Sequence, residues 1–282
     1  MRCHLSFSAA LALVGCVQPP KALPMAEPPA PTPAVAPRYP SWEEIREPQP
    51  SSPSLKSGRA LIGSAMLHET TASSKEGSVD LQFIRFDDRD YEMRVIDQPE
   101  DDAGGSQLTA SMRRVHAAAG VNGGFFTPQF TPMGLMIADG RPTGTWQNNR
   151  LLTGAVVVHQ YPRLLWNAEI RDRNARHLLQ AGPRLVDAGR AVAGLERSRH
   201  TTRTFIATDG AHQWAIGLAH GVSLGGLSDI LATPDTLGMH VQRALNLDGG
   251  HSSALYYRSA EGSEHSAPGW STVRNYLAII PR

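Results

Sequence analysis

Two stretches of the 282-residue chain share one design. In residues 117–126 (AAAGVNGGFF) and 244–253 (ALNLDGGHSS), an apolar run delivers a polar residue, Asn122 or Asp248, and then a glycine pair, Gly123–Gly124 or Gly249–Gly250. A glycine pair costs backbone entropy, so at the end of a buried strand it signals φ > 0 or a close approach to the backbone. Asn122 and Asp248 would then meet at one edge of a sheet; two tight turns with Asn and Asp caps satisfy the same pattern. Two further clusters carry arginine: 180–186 (QAGPRLV) with Arg184, and 200–210 (HTTRTFIATDG) with Arg203 and Thr204. Arg203 opens a strand beside polar residues, a position from which a guanidinium can fork onto a phosphate. Asp248 and His251 at i and i+3, with His200 and His220 elsewhere, offer ligands for Zn²⁺ or Mn²⁺. No HxxH or HExxH spacing supports that metal reading.

The elements that must hold these residues are mostly strands. Short runs rich in Val, Ile, Leu and aromatics occur at 61–67, 79–86, 91–96, 134–138, 154–159, 204–207, 214–218, 244–247, 254–257 and 276–280, separated by Gly, Pro, Asp and Asn. Helices are fewer. Leu108, Met112, Val115 and Ala119 fall on one face of a helix running from Ser106, a candidate N-cap, to Ala119, with Gly120 as its stop. A second helix from about Gly226 presents Leu227, Ile230 and Leu231 to a core and ends near Pro234. Strands and helices without strict alternation predict an α+β fold with a mixed β-sheet and a few packed helices, a single domain over residues 58–282. With 27 Lys+Arg against 26 Asp+Glu the net charge is +1, which supplies no field to hold a nucleic acid.

The first 57 residues read differently. Residues 1–15 carry one Arg and a short apolar stretch, too short to span a bilayer, and read as a signal peptide. Leu13-Val14-Gly15-Cys16 resembles the bacterial lipobox, which makes Cys16 the lipidated amino terminus and Cys3 part of the removed peptide. Two cysteines so placed exclude a disulfide framework and a Cys-based zinc site. Residues 17–57 hold twelve of the 21 prolines and few large apolar side chains, so 16–57 is expected to be a lipid-bearing, disordered, semi-rigid tether. The expected location is the bacterial cell envelope, lipid-anchored on the periplasmic side of the inner or outer membrane.

Taken in order, VNGGFF, PMGLMIADGRPTG, QAGPRLV, TTRTFIATDG and ALNLDGGHSSALYY resemble the phosphodiester glycosidase family over roughly residues 110–257. The resemblance implies an α+β hydrolase of sugar-1-phosphodiesters, acting on a sugar phosphodiester or envelope glycan without cofactor or metal. The family's motif positions fall on Asn122, Gly123, Gly124, Arg203, Thr204, Asp248, Gly249, Gly250, Ser252 and Ser253. This chain departs from it at His251 and Ala207, where the family usually has glycine. Cleavage at the anomeric carbon releases a phosphate monoester with a second pKa of about 6, so no strong general acid is needed. The resemblance implies cationic support from Arg203 and from Arg184, a base or nucleophile at Asp248 with Asp209 and Glu196 behind it, and orientation of the substrate by Asn122. A metal-assisted phosphodiesterase and a non-catalytic glycan-binding lipoprotein are the other readings of the same residues.

Overall fold

The structure is a computed structural model that describes residues 58–98 and 106–282. The expected signal peptide, Cys16 and the expected proline-rich tether lie outside the described residues, as does the side chain of Ser106. All described residues fall within one compact unit.

The described part of the chain begins with a meander of β1 (Arg59–Ala60), β2 (Met66–Ser74) and β3 (Gly77–Asp87), then leaves that sheet through β4 (Tyr91–Asp97). Helix α1 (Ser106–Arg114) leads into β5 (Ala119–Asn122). There follow β6 (Met136–Ala138), β7 (Arg141–Thr143), β8 (Gly154–Val158), β9 (Pro162–Trp166) and β10 (His177–Ala181). The chain returns to the first sheet with β11 (Arg184–Asp187), β12 (Arg190–Ala191), β13 (Thr201–Thr208) and β14 (Gln213–Val222). Helix α2 (Leu224–Ala232) then carries it over β13 to β15 (Arg243–Asn246), and β16 (Leu255–Arg258), β17 (Glu264–Ala267) and β18 (Asn275–Pro281) finish the fold.

Three sheets result: eight strands in the order β1-β2-β3-β14-β13-β15-β11-β12, five in the order β7-β6-β10-β8-β9, and five in the order β17-β16-β5-β18-β4. The expectation of a mixed sheet is corrected here. Every ladder among the described residues is antiparallel. Seven of these ladders join consecutive strands through short connections, and a hairpin can only produce antiparallel pairing.

The sheets close around one apolar core. Side chains from all three meet in it, among them Leu67 and Ile84 of the first, Val156 and Leu179 of the second, and Val121 and Leu277 of the third. Alternation along β13 sends Ile206 into this core and Phe205 and Ala207 to the opposite face, where Leu227, Ile230 and Leu231 of α2 cover them. Ser223 caps α2 by accepting from the backbone N–H of Gly226, and Leu227, Ile230 and Leu231 face the core as their spacing predicts. Leu108 and Met112 of α1 cover the outer face of the third sheet beside Ala278 and Ile280.

Helix α1 is shorter than its apolar periodicity predicts. His116 takes the left-handed conformation at φ 55°, its N–H donates to the carbonyl of Arg113, and the Ala117 N–H donates to the carbonyl of Met112. That pair of bonds is a Schellman stop with histidine where glycine is usual. Gly120, expected as the stop, therefore sits inside β5. The run at 61–67 begins as a turn at Gly63 (φ 80°), and the strand starts only at Met66.

Candidate active site

The two glycine-bearing stretches come together. β5 ends at Asn122, and β15 ends two residues before Asp248. The N–H of Asp248 donates to the carbonyl of Gly123 at 2.9 Å, and the Leu247 N–H donates to the carbonyl of Thr204 at 2.9 Å, so both stretches are stitched to each other and to β13. Asn122 is the centre of the junction and is wholly buried. Its Nδ2 donates to the main-chain carbonyl of Asp248 at 2.6 Å. Its Oδ1 accepts from Thr204 Oγ1 at 2.8 Å and from the Ala254 N–H at 3.0 Å. Thr204 Oγ1 lies 3.3 Å from Ser253 Oγ, which in turn donates to the carbonyl of Thr202. A buried amide with this many bonds fixes its neighbours and has no surface to offer a ligand. Asn122 is thus a positioning residue for the Asp248 loop.

Asp248 itself is half-buried. Burial pushes its carboxyl above the ordinary carboxylate range, while a hydrogen bond from the Ser252 hydroxyl and one from the Gly249 N–H, at 2.9 Å, pull the other way. Ser252 belongs to a short 3-10 turn, 250–252, that folds back over the carboxylate. Gly250 in that turn has φ 64°, whereas the other three glycines of the two pairs are required by close approach. A Cβ on Gly123 would overlap Asn275 Oδ1, one on Gly124 would press on the carbonyl of Gln180, and one on Gly249 would sit 2.9 Å from the carbonyl of Thr202. Asn275, at the start of β18, is a member of the site that the sequence reading missed. Its Oδ1 accepts the Gly124 N–H at 2.7 Å and its carbonyl accepts the Gly123 N–H at 2.9 Å, which orients the whole glycine turn. A lone asparagine opening an apolar strand was its only sequence mark.

The remaining expected residues lie around this junction or away from it. Arg203 and Thr204 are consecutive on a strand, so the Arg203 side chain leaves on the α2 face of the sheet. Its Nε donates to the carbonyl of Val222 at 3.2 Å, and its Nη2 donates to the carbonyl of Arg199 at 2.7 Å and lies 3.6 Å from Glu196. Glu196 spends one carboxylate oxygen on the Ser198 hydroxyl and the N–H of Arg199. Asp209 accepts from the N–H groups of Ala211 and Gln213 in the β13–β14 turn, at the opposite end of β13 from Arg203. Ala207 is buried under α2 and shapes no part of the junction. His251 is exposed, and its carbonyl accepts from the N–H groups of Trp270 and Ser271. His200 faces Glu76 and His220 faces Thr202, so the histidines of the metal reading are engaged elsewhere. Arg184 lies on β11, where it pairs with Asp187 at 3.2 Å.

A family model described as phosphodiester glycosidase matches residues 116–280, more than half of the chain, and that stretch contains the whole junction. The chain belongs to the phosphodiester glycosidase family. Among solved structures, its fold is similar to the catalytic domain of zebrafish N-acetylglucosamine-1-phosphodiester alpha-N-acetylglucosaminidase auto-inhibited by its pro-peptide, with TM-score 0.56 and 16% identity over 84% of this chain and 92% of that one. It is also similar to a hypothetical protein from Synechocystis, with TM-score 0.51 and 17% identity over 77% of this chain and 62% of that one. No curated protein matches by sequence. At such identities the likeness carries the fold, and the family match carries the general activity.

Proposed function

We propose that this phosphodiester glycosidase is an exported, lipid-anchored enzyme that hydrolyses the anomeric carbon–oxygen bond of a sugar-1-phosphodiester and releases a phosphate monoester. The observation that carries the reading is the half-buried Asp248 carboxylate, raised by burial and aimed by Ser252, Gly249 and the Asn122 bond to its own main chain. A carboxylate with a raised pKa is a better base near neutral pH than an exposed one. Water attacks the anomeric carbon, Asp248 takes its proton, and the bonding electrons leave with the phosphate oxygen; attack by Asp248 itself would give a covalent intermediate, and the stereochemistry of the product separates the two routes. The leaving monoester is stable as an anion, so donors suffice where other glycosidases use a strong acid. Export and anchoring rest on the leader-like first fifteen residues and Cys16.

The test is turnover of a chromogenic sugar-1-phosphodiester by the wild-type chain and by Asp248→Asn, with and without a chelator. Hydrolysis that survives the chelator and disappears in the variant is the expected result. Loss on chelation would favour the metal-assisted reading, and binding of the sugar without turnover would favour a glycan-binding protein.

A further inference from the structure

Arg203 is a poor phosphate ligand as placed, because Nε and Nη2 already donate to two main-chain carbonyls. A second location has the opposite character. Beside the Gly182–Pro183 peptide, residues 148–150, Thr153, Asn167 and Arg184 line a cavity of about 410 Å³, with Trp166 beneath them. That is room for a phosphorylated sugar.

The hydrogen-bond inventory of this cavity is one-sided. The Asn149 side-chain oxygen is taken by the N–H groups of Leu151 and Leu152, and that of Asn148 by the Trp146 indole. Thr153 Oγ1 accepts the N–H of Arg184 at 2.8 Å, leaving its own hydrogen to donate. Arg184 spends one nitrogen on Asp187 and lies over the Trp166 ring, 5.4 Å from its centroid. Arg150 is exposed and has no partner among the described residues. With the Asn167 amide spent on the carbonyls of Gln147 and Leu152, the side-chain groups left over are the –NH₂ groups of Asn148 and Asn149, the Thr153 hydroxyl hydrogen and two guanidinium groups, all donors, and no carboxylate lines the cavity. Such a set suits an anion with several acceptor oxygens.

The cavity is tied to the Asp248 junction. Gly182, packed against the main chain of Leu151 and of the lining residue Thr153, accepts at its carbonyl from Asn246 Nδ2 at 2.9 Å, and the Pro183 carbonyl accepts the Asn246 N–H at 3.0 Å. Asn246 is two residues from Asp248 on the same chain. The geometry points to this cavity as the phosphoryl subsite, with Arg150 and Arg184 as its anion-binding residues. The assignment rests on the phosphodiester reading above and moves the phosphate from Arg203 to a site formed by the 148–153 loop and β11.

The experiment has two arms. In the first, inorganic phosphate is titrated into the full chain carrying Asp248→Asn, alone and combined with Arg150→Ala, Arg184→Ala or both. In the second, KM and kcat are measured for each arginine variant on a sugar-1-phosphodiester and on an uncharged glycoside of the same sugar. Each lost charge-assisted bond is expected to weaken phosphate binding roughly tenfold to hundredfold, with a matching rise in KM for the charged substrate alone. Arg150→Ala removes no contact of the fold and remains interpretable if Arg184→Ala unfolds. Phosphate binding and KM that are unchanged in the Arg150 variant and in any folded double variant would overturn the subsite. Arginine-dependent phosphate binding by a chain that hydrolyses no sugar phosphodiester would keep the subsite and overturn the activity; hydrolysis indifferent to both arginines would do the reverse.

Discussion

The side chain of Asn122 and the main chain of Asp248, 126 positions apart in sequence, are joined by a 2.6 Å hydrogen bond. Through it, the end of one sheet dictates where the acidic loop of another stands. In the proposed reaction this gives a role to a residue that cannot exchange a proton, since the carboxylate must be held in one place for its direction to matter.

Asn122→Ala tests that relationship. It strips partners from the Thr204 hydroxyl, the Ala254 N–H and the Asp248 carbonyl, all at a buried point. Each orphaned group costs about 1–3 kcal/mol, so a loss of roughly 3 kcal/mol or more is expected in urea unfolding. Because the change touches placement rather than proton transfer, kcat should fall in the folded variant while the acid limb of the pH profile stays where it was. A shifted acid limb would place Asn122 in direct contact with the ionising group.

Asp248→Asn should reduce turnover by ~10² to 10⁴. Stability should move the other way. Burial raises the Asp248 pKa in the folded chain, so any stability the group contributes is present below the ordinary value of 3.8 and is lost as pH rises through the folded value. At neutral pH the amide variant should therefore melt at the same temperature as wild type or higher, the gap closing on acidification. The same raised pKa places the acid limb of wild-type kcat/KM above pH 3.8. A variant that is markedly less stable at pH 7 would mean that the Ser252 and Gly249 bonds outweigh burial.

Much of the junction could be read from the chain because its spacing is local: each glycine pair follows its polar residue directly, and each marks a strand end. Ala207, noted in the chain only as a departure from the family's glycine, lies in the core under α2 and not at the junction. What the chain did not disclose depends on contacts far apart in sequence. Asn275 lies 151 positions from Gly124, and nothing near it announces that its amide holds a glycine turn. Arg203 looked like a phosphate ligand because its neighbours are polar, yet the alternation of β13 turns it away from Thr204 toward the carbonyls of Val222 and Arg199. Helix α1 was read too long because a histidine took the stop position that glycine usually occupies.

His177 makes the fold sensitive to acid. It is fully buried, its Nδ1 accepts the Asp139 N–H at 3.2 Å, and burial holds its pKa down from 6.5 to about 4. A histidine whose folded pKa lies below its unfolded value stabilises above about pH 6.5 and loses that contribution as pH falls toward 4. The swing is about 3 kcal/mol for this group. His177→Gln keeps an acceptor for Asp139 and should flatten the unfolding free energy between pH 6.5 and 4; an unchanged slope would put the acid sensitivity on other groups, with His68, also held at about 4, the next to examine.

Lipidation is tested at Cys16. Replacing it by alanine in the full chain should abolish acyl labelling and shift the protein from the membrane to the soluble or unprocessed exported fraction, since stable anchoring needs more than one acyl chain on the residue. Unchanged labelling and partitioning would end the lipoprotein reading without touching the enzymology.

The sharpest contrast lies between Arg203 and the arginines of the cavity. Arg203 bridges the 196–199 loop and the end of β14 from a buried position, with one nitrogen on each carbonyl. Lysine brings a single ammonium and cannot span both, so Arg203→Lys should destabilise nearly as much as Arg203→Ala, by about 1–3 kcal/mol. Its kinetic signature follows from what it touches. Gly249 packs against the Arg203 main chain and Cδ, so a slackened Arg203 loosens the Asp248 loop whatever the substrate carries. Turnover of a sugar-1-phosphodiester and of an uncharged glycoside should then fall by similar factors, with KM little changed. Loss confined to the charged substrate would return the phosphate to Arg203, and Arg150 and Arg184 would have to be read as surface cations.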